Sequence, residues 1–354
     1  MLGVHLAPDG KNNLQFQKMK EKAKELAEFT RIGHICPNET WIALQTMAMK
    51  SIEYPLPALT LSEEECEKIM WILLQAFLPK LGINRYMKRD VVYGGKSQQG
   101  LGIKNLFISQ GLTHVNDLIE HVWKNTITGH LIISSLENLR LELGCNIPIL
   151  ASDYDKYEDL ILTESWIQHT WRFMSQYDMQ VYDDTRQIPT AREFDEVIMD
   201  TFIEAGITGT RLYRANRCRI FLQALTLADI TTGDGIFITK EAWSGERSRS
   251  TCRHNSFEWP EWGTPSKLEK TAWKEALQFV FCSRRERCLD QPLGAWTIGP
   301  GEKWQWYTHN HNNLLYRRRE ENWEIHQPIG RRTRQPRFHT NSAITHPPKE
   351  NDIT

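Results

Sequence analysis

Hydrophobic residues recur at helical spacing along most of the chain, which predicts a mainly α-helical protein. Polar joints, glycines and prolines interrupt the pattern where helices are expected to end. A capping box, Ser62 followed three residues later by Glu65, precedes the most apolar stretch. The predicted helices cover Phe16–Gly33, Thr40–Glu53, Ile69–Leu81, Ile103–Lys124, His130–Leu143, Tyr157–Tyr177, Thr190–Ala205, Gly209–Leu227 and Lys267–Phe281.

Alternation of apolar and polar residues predicts β-structure mainly at the two ends of the chain. Leu2–Ala7 and Leu14–Phe16 flank the turn signal Asp9-Gly10, which indicates an N-terminal hairpin. Arg85–Gly102 is predicted to be a loop or short strand. A small antiparallel meander is expected near the other end, with strands at Ala295–Ile298, Trp304–Thr308, Leu314–Arg318 and Trp323–His326. The residues after Pro328 have the composition of a disordered basic tail.

Length and charge suggest about two domains with different partners. The 354 residues carry 43 Lys and Arg against 44 Asp and Glu, but the balance is uneven. Residues 1–242 hold 25 basic and 31 acidic side chains, whereas residues 243–354 hold 18 and 13. Eight of the 13 tryptophans lie in Trp243–Trp323. The basic, Trp-rich end is therefore the better candidate for a polyanion partner.

The sequence predicts an intracellular protein of the nucleus or cytoplasm. The longest apolar run, Ile69–Leu78, has about half the length that a membrane span needs, and Met1–Asn13 lacks the plan of a signal peptide. Seven cysteines without a C-x-x-C pair fit a reducing compartment.

Catalytic and metal-binding motifs are scarce. The chain contains no G-x-S-x-G, H-E-x-x-H, P-loop or G-x-G-x-x-G motif. Tyr182-Asp183-Asp184 differs in order from the Tyr-x-Asp-Asp turn that holds two metal ions in polymerases, and an acidic loop is the favoured interpretation. His309, His311, Cys282 and Cys288 do not have the spacing of a common zinc site. No metal or cofactor is predicted for this chain.

Two basic segments are candidates for binding phosphate. The first contains Lys80, Arg85, Lys88, Arg89, Lys96 and Lys104 against one acid, together with Tyr86, Tyr93 and four glycines that include Gly94. Lysine and arginine neutralise phosphates, and glycines allow backbone N–H groups to approach them. The second contains Arg211, Arg214, Arg217 and Arg219, of which the first three line one edge of a helix. The alternative for each segment is a solvated cationic face.

Several short motifs follow one another in a characteristic order over roughly residues 1–300. They are Leu2-Gly3-Val4, Pro8-Asp9-Gly10, Leu78-Pro79-Lys80-Leu81-Gly82, Arg89-Asp90-Val91-Val92-Tyr93-Gly94, Gly100-Leu101-Gly102-Ile103, Gln110-Gly111, Asn216-Arg217-Cys218-Arg219, Asp229-Ile230, Trp259-Pro260 and Pro292-Leu293-Gly294-x-Trp296. Their order resembles the C-terminal part of reverse transcriptases from non-LTR retroelements, in which a Leu-Gly strand similar to Leu2-Gly3-Val4 follows the palm and grips the primer end. Gln99 departs from the family, which usually has glycine there.

The resemblance implies a nucleic-acid-binding remnant rather than a complete polymerase. The metal-binding carboxylates of the family lie on palm strands upstream of the Leu-Gly strand, so Mg²⁺ is expected only for an intact polymerase with its palm and fingers. No activity of the chain alone is expected. Template–primer RNA and DNA are the implied partners, with Leu2 and Gly3 at the primer end. The implied phosphate contacts are Arg85, Lys88, Arg89, Tyr93, Gly94, Lys96, Arg211, Arg214 and Arg217.

The resemblance also implies an order of segments along the chain. A primer-grip-like hairpin and first helix occupy 1–35, a thumb-like helical domain 36–150 and a helical connector 151–290. The Trp-rich meander occupies 291–328 and the basic tail 329–354. As an alternative function, Trp296–Pro328 resembles a stretched WW module, which docks proline-rich peptides on aromatic rings. That resemblance implies a non-enzymatic peptide-binding or scaffold protein.

Overall fold

The computed structural model describes residues 4–5, 7, 10–122, 124–181, 188, 190, 192–232, 234–246, 259 and 263–294, together with four strands nearer the C-terminus. The prediction of a mainly α-helical protein is confirmed. The helices are α1 (Asn13–Ile32), α2 (Pro37–Ala43), α3 (Met49–Glu53), α4 (Glu63–Lys80), α5 (Arg89–Tyr93), α6 (Leu106–His121), α7 (Ile127–Leu143), α8 (Trp166–Gln176), α9 (Ile198–Glu204), α10 (Gly209–Leu222), α11 (Lys240–Ser244) and α12 (Lys267–Val280).

Local sequence signals explain where several helices begin and end. The Ser62 hydroxyl accepts the backbone N–H of Glu65 at 3.2 Å, and the Glu65 carboxylate accepts the N–H of Ser62 at 2.9 Å. This capping box starts α4 at Glu63, earlier than the apolar periodicity alone indicates. Gly82 follows the end of α4 with φ +76°, a left-handed conformation that glycine adopts without strain. The segment predicted as one helix over Thr40–Glu53 is α2 and α3 joined by a π-helical turn, Leu44–Ala48.

Several predicted elements differ from the structure. The helix predicted over Thr190–Ala205 is shorter, because α9 begins only at Ile198. The second strand of the N-terminal hairpin is wrong, because Leu14–Phe16 lies in the first turn of α1. A three-residue alternation fits strand and helix equally, and the helix buries Phe16 together with Met19 and Ala23. The helix predicted over Tyr157–Tyr177 begins only at Trp166, where Ser165 caps α8. The loop predicted over Arg85–Gly102 contains the short helix α5.

The chain forms two compact units, and each unit is discontinuous in sequence. The first contains residues 1–134 and 163–179, and the second contains residues 135–162 and 180–354, so the division falls within α7. Residues 163–179 belong to the first unit, in which α8 packs against α6. The five functional segments inferred from the sequence stay a prediction.

The core of the first unit forms around the packing of α1 against α4. Phe16, Met19, Ala23 and Ala27 recur at intervals of three and four residues and are buried, as expected for one face of α1. The facing side of α4 contributes buried side chains along the apolar run, Ile69, Met70, Leu73, Leu74, Phe77 and Leu78. Gly111 on α6 allows α8 to approach closely, because a Cβ at this position would lie 2.3 Å from the ring of Phe173.

The core of the second unit forms around the packing of α10 against α12. Trp273 of α12 is fully buried, and its indole N–H donates to the carbonyl of Ala242 at 2.8 Å. The Trp273 ring meets Phe202 of α9 edge to face, with centroids 5.9 Å apart. These contacts join α9, α11 and α12 around one aromatic centre.

Four antiparallel strands form a meander in the order β1-β2-β3-β4. The strands are Trp304–Thr308, Leu315–Arg319, Asn322–Pro328 and Phe338–Asn341. In the register, Trp306 pairs with Arg317, and Arg317 also pairs with Glu324. The fourth strand lies within the segment that the sequence predicted as a disordered tail. Within the described part of the chain, none of the helices has both the length and the apolar character to cross a bilayer.

Candidate nucleic-acid interface

The loop between α4 and α5, residues 81–88, is attached to α4 through hydrogen bonds of the loop backbone. The side-chain amide of Gln75 donates to the carbonyl of Arg85 at 3.3 Å. Asn84 closes a turn, since its side-chain oxygen accepts the N–H of Tyr86 at 2.8 Å and its carbonyl accepts the N–H of Met87 at 2.9 Å. The loop therefore presents its side chains from an anchored backbone. We call residues 81–88 the α4–α5 loop.

Arg85, Tyr86 and Lys88 are exposed side chains of the α4–α5 loop. The Arg85 guanidinium lies over the Tyr86 ring, with Cζ 4.8 Å from the ring centroid. Tyr86 is 70% exposed, and Arg85 and Lys88 are also exposed. Among the described residues, no carboxylate lies within ion-pair distance of Arg85 or Lys88. Their charges are therefore available to an external anion.

Arg89 and Tyr93 are directed to a carboxylate of α4 rather than to solvent. Arg89 Nε lies 2.6 Å from Glu67 Oε1, and the Tyr93 hydroxyl donates to Glu67 Oε2 at 2.7 Å. Burial raises the pKa of Tyr93, and the hydrogen bond to Glu67 raises it further, so the phenol stays protonated near neutral pH. This network attaches α5 to α4 and neutralises the charge of Arg89.

The other lysines of the first basic segment also have partners within the protein. Lys80 donates to the carbonyl of Gly33 at 2.9 Å, and Lys104 pairs with Glu53 at 3.2 Å. Lys96 is exposed, and its ammonium lies 5.2 Å from the centroid of the Trp41 ring. Of these three lysines, only Lys96 keeps an uncompensated charge near an accessible ring.

The glycines of this segment serve the packing of the chain on itself. A Cβ on Gly100 would lie 2.1 Å from the carbonyl oxygen of Gly94, so only glycine permits this backbone crossing. The Gly102 N–H donates to the Gly94 carbonyl at 2.8 Å, and the Gly100 N–H donates to the Gly95 carbonyl at 3.0 Å. Gln99 has φ 64°, a left-handed conformation that glycine adopts more readily than glutamine. The N–H groups of Gly100 and Gly102 are occupied.

The four arginines of α10 have four different environments. Arg211 is exposed and Arg214 is half-buried. Arg217 pairs with Glu269 of α12, with Nε 3.2 Å from Oε1. Arg219 is fully buried in the core of the second unit. Of the arginines that the sequence predicted along one edge of this helix, Arg211 is therefore the one whose charge is most exposed to solvent.

Arg219 donates to the ends of two helices. Its Nη2 donates to the carbonyls of Leu141 and Glu142 at 2.6 and 2.8 Å, in the last turn of α7. Its Nη1 donates to the carbonyl of Ala224 at 2.9 Å, just after α10. Helix C-termini carry unpaired carbonyls and partial negative charge, which suit a cation. Burial lowers the pKa of Arg219 to about 10, so it remains charged at neutral pH.

Sequence reasoning missed Trp71 of α4. Trp71 lies within the apolar run Ile69–Leu78, yet it is 52% exposed. It lines an open groove of about 1160 Å³ together with side chains of α6 and α8, including Phe107, His169 and Phe173. The spacing of Glu67, Trp71 and Gln75 at intervals of four was the available signal, because it places Trp71 on a polar face of the helix.

Several sequence-predicted residues lie outside the described part of the chain. Leu2 and Gly3, assigned to the primer end, are among them, as are Tyr182–Asp184, His309 and His311. The six described cysteines form no disulfide. Within the described ranges, no three His, Cys, Asp or Glu side chains are grouped as metal ligands would be.

Comparison with known proteins gave no match at any of three levels: no family model, no curated protein and no solved structure is similar to this chain.

Proposed function

We propose that this protein binds nucleic acid through the α4–α5 loop and through Lys96. The observation that carries this proposal is the exposed group of Arg85, Tyr86 and Lys88, in which two cations without carboxylate partners among the described residues flank an accessible ring. Cations of this kind release condensed counterions from a phosphate backbone, and this release supplies most of the sequence-independent affinity.

The resemblance to reverse transcriptases suggests which kind of protein this is and which nucleic acid it binds. On this view residues 36–150 correspond to a helical thumb, and the chain is a C-terminal part of such a polymerase with an N-terminal primer grip, a helical connector and a Trp-rich meander. RNA and DNA of a template–primer are the partners. Leu2 and Gly3 stay assigned to the primer end, and Mg²⁺ belongs to the palm of an intact enzyme.

The contacts within the protein divide the proposed binding residues into two groups. Arg85, Lys88 and Lys96 are exposed, and we assign phosphate contacts to them. Arg89, Tyr93 and Gly94 hold the structure of the segment through Glu67 and Gly100. On α10, Arg211 is the exposed contributor, whereas Arg217 already pairs with Glu269.

A salt titration with the full chain tests the proposal. Fluorescence anisotropy of a labelled oligonucleotide is measured at increasing salt for the wild type and for Arg85→Glu/Lys88→Glu. We expect wild-type affinity to fall steeply with salt. The double variant should bind more weakly and with a shallower dependence, by a slope of about 0.7–0.9 for each phosphate that the protein no longer neutralises.

The matched control is Lys124→Glu, which reverses an exposed cation of the same unit that pairs with Glu120 at 3.0 Å. It should bind like the wild type. Absence of binding at low salt, or binding that salt does not weaken, would rule the proposal out.

Peptide binding through Trp296–Pro328 is a second proposal. It is supported by three antiparallel strands between Trp304 and Pro328, because a WW module is a three-stranded antiparallel sheet. The further pairing of β4 with β3 is not part of that module. Titration with a proline-rich peptide, followed by tryptophan fluorescence of the wild type and of Trp323→Ala, separates the two functions. A response that disappears in the variant favours peptide binding, and no response removes it.

A further inference from the structure

One face of α4 connects the α4–α5 loop to a second exposed aromatic ring. Glu67, Trp71 and Gln75 follow one another at intervals of four residues, so they lie on the same face of the helix. Gln75 holds the carbonyl of Arg85, and Trp71 lies one turn earlier. Trp71 and the Arg85–Tyr86 pair therefore border a common stretch of surface.

Trp71 forms a ridge between two grooves of the first unit. One is the groove of about 1160 Å³ described above, which Arg89 and Tyr93 also line. The other, of about 590 Å³, lies between α1 and α4 and is lined by Lys24, Arg31 and Gln75. Its lining also includes acids, but Arg31 and Glu28 pair with each other at 3.8 Å.

Four of the six carboxylates that line the two grooves pair with cations of the protein, and the other two, Glu63 and Asp90, are exposed. Glu67 is paired with Arg89, and Glu64 with Lys68 at 2.7 Å. Lys24 of α1 is exposed and has no carboxylate within ion-pair distance among the described residues, like Arg85 and Lys88. We call Lys24, Trp71, Arg85, Tyr86 and Lys88 the α4 surface.

We propose that the α4 surface binds single-stranded nucleic acid, with bases stacked on Trp71 and Tyr86 and phosphates near Lys24, Arg85 and Lys88. This rests on the proposed function and specifies its substrate. Proteins that bind single strands combine aromatic stacking platforms with a cationic path for the backbone. A duplex keeps its bases inside and offers these rings nothing to stack on, so exposed rings among free cations favour the unpaired strand.

Four full-length variants test the two rings separately from the charges. Trp71→Ala and Tyr86→Ala remove a ring, whereas Trp71→Phe and Tyr86→Phe keep one. Affinities are measured for an oligothymidylate, an oligouridylate, a blunt duplex of equal length and a polyglutamate peptide. We expect each alanine variant to bind both single strands about tenfold more weakly and the phenylalanine variants to stay close to the wild type.

Further measurements make each outcome decisive. Phe279→Ala removes a ring that is 60% exposed in the second unit, and it should leave binding unchanged. Circular dichroism and urea midpoints of all variants show whether a loss comes from unfolding, and the phenylalanine variants report on the rings even if an alanine variant is unstable. The duplex is expected to bind more weakly than the single strands and to be insensitive to the ring variants.

Two results would overturn the inference while leaving the proposed function intact. One is equal affinity for duplex and single strand with no effect of Trp71→Ala or Tyr86→Ala, while Arg85→Glu/Lys88→Glu still weakens binding. The other is loss of affinity for all nucleic acids equally in the alanine variants. Binding of polyglutamate in preference to every oligonucleotide, or no oligonucleotide binding at low salt, would overturn both proposals.

Discussion

Arg219 occupies the space that a side chain on Gly144 would need. A Cβ on Gly144 would lie 2.4 Å from Cζ of Arg219 and 2.6 Å from Nη1. Gly144 also has φ +65°, a conformation that other residues adopt with strain. The buried guanidinium and the glycine that ends α7 therefore depend on each other, and the second unit is expected to tolerate little change at either.

Gly144→Ala should destabilise the second unit by about 2–4 kcal/mol, because it adds left-handed strain to a clash with a buried, hydrogen-bonded side chain. Urea unfolding followed by circular dichroism measures the loss. Gly206→Ala is the matched control, since Gly206 has φ +81° but open space around its Cα. It should cost only the strain, about 1 kcal/mol. Equal losses in the two variants would contradict the role of Arg219.

Arg219→Met should cost about 3–5 kcal/mol, because the carbonyls of Leu141, Glu142 and Ala224 lose buried donors. Arg219→Lys should recover only part of this loss, since an ammonium lacks the planar fork that reaches several carbonyls. Arg211→Met removes an exposed arginine from the same helix and should change stability by less than about 0.5 kcal/mol. A similar free energy of unfolding for Arg219→Met and Arg211→Met would show that the buried contacts contribute little.

Gly111→Ala should separate α6 from α8 in the first unit, with a loss of about 1–3 kcal/mol from overpacking against Phe173. Phe173→Leu alone should also destabilise, because Phe173 is buried. In a double-mutant cycle the two changes should be less damaging together than the sum of the single losses, since the smaller side chain leaves room for the new methyl group. If the losses of the two single variants added up in the double variant, the new methyl group at position 111 would not clash with Phe173.

His114 makes the first unit sensitive to acid. Burial lowers the pKa of His114 to about 4, although the carbonyl of Leu56 accepts from its ring nitrogen at 3.1 Å. His114 therefore binds a proton near pH 6.5 in the unfolded state but only near pH 4 in the native state. The free energy of unfolding should be unaffected by His114 above pH 6.5. It should fall by about 1.4 kcal/mol for each unit by which the pH is lowered between these two values.

His114→Gln tests this pH dependence, because glutamine keeps a donor but does not titrate in the window. Urea midpoints from pH 7 to 5 should decline less in the variant than in the wild type. Some decline should remain, since burial also lowers the pKa of the neighbouring His169. His130→Gln changes an exposed histidine of the same unit and should retain the wild-type dependence. Parallel curves for wild type and His114→Gln would contradict the assignment.

Glu67→Gln should strengthen binding of nucleic acid, because it removes the carboxylate that neutralises Arg89. We expect a few-fold higher affinity at low salt and a slope of log affinity against log salt that is steeper by up to the equivalent of about one neutralised phosphate. Tyr93→Phe removes the other hydrogen bond to Glu67 without changing charge, and it should leave the salt dependence unchanged. Unaltered binding by Glu67→Gln would show that the charge of Arg89 does not act on the bound nucleic acid even when it is not neutralised.

The difference between Ile69–Leu81 and Arg85–Gly102 shows where sequence reasoning succeeded. The capping box, the apolar period and Gly82 act within a few residues of one another, so they specified α4 and its end directly. The basic segment was recognised by composition, but composition does not say which cation finds a carboxylate. The partners of these cations lie elsewhere in the chain. Arg89 pairs with Glu67, Lys104 pairs with Glu53, and Lys80 donates to the carbonyl of Gly33, so these three cations already have partners within the protein.

Trp71 and Arg219 have environments opposite to those usual for their residue types. Tryptophan is highly buried on average, and arginine is almost never fully buried unless it is paired, but Trp71 is 52% exposed and Arg219 is fully buried. A tryptophan beside two grooves and an arginine that satisfies helix ends depend on what surrounds them in three dimensions.

The sequence by itself determined the helical character of this protein, the start and end of α4, and the local concentration of cations near Arg85. These properties depend on spacing, capping and composition, which act over a few residues. Only the tertiary structure decided which cations stay free, which glycines allow close backbone contact and which aromatic rings reach solvent. Those outcomes depend on partners distant in sequence, whose positions are fixed when the apolar faces of the helices pack together.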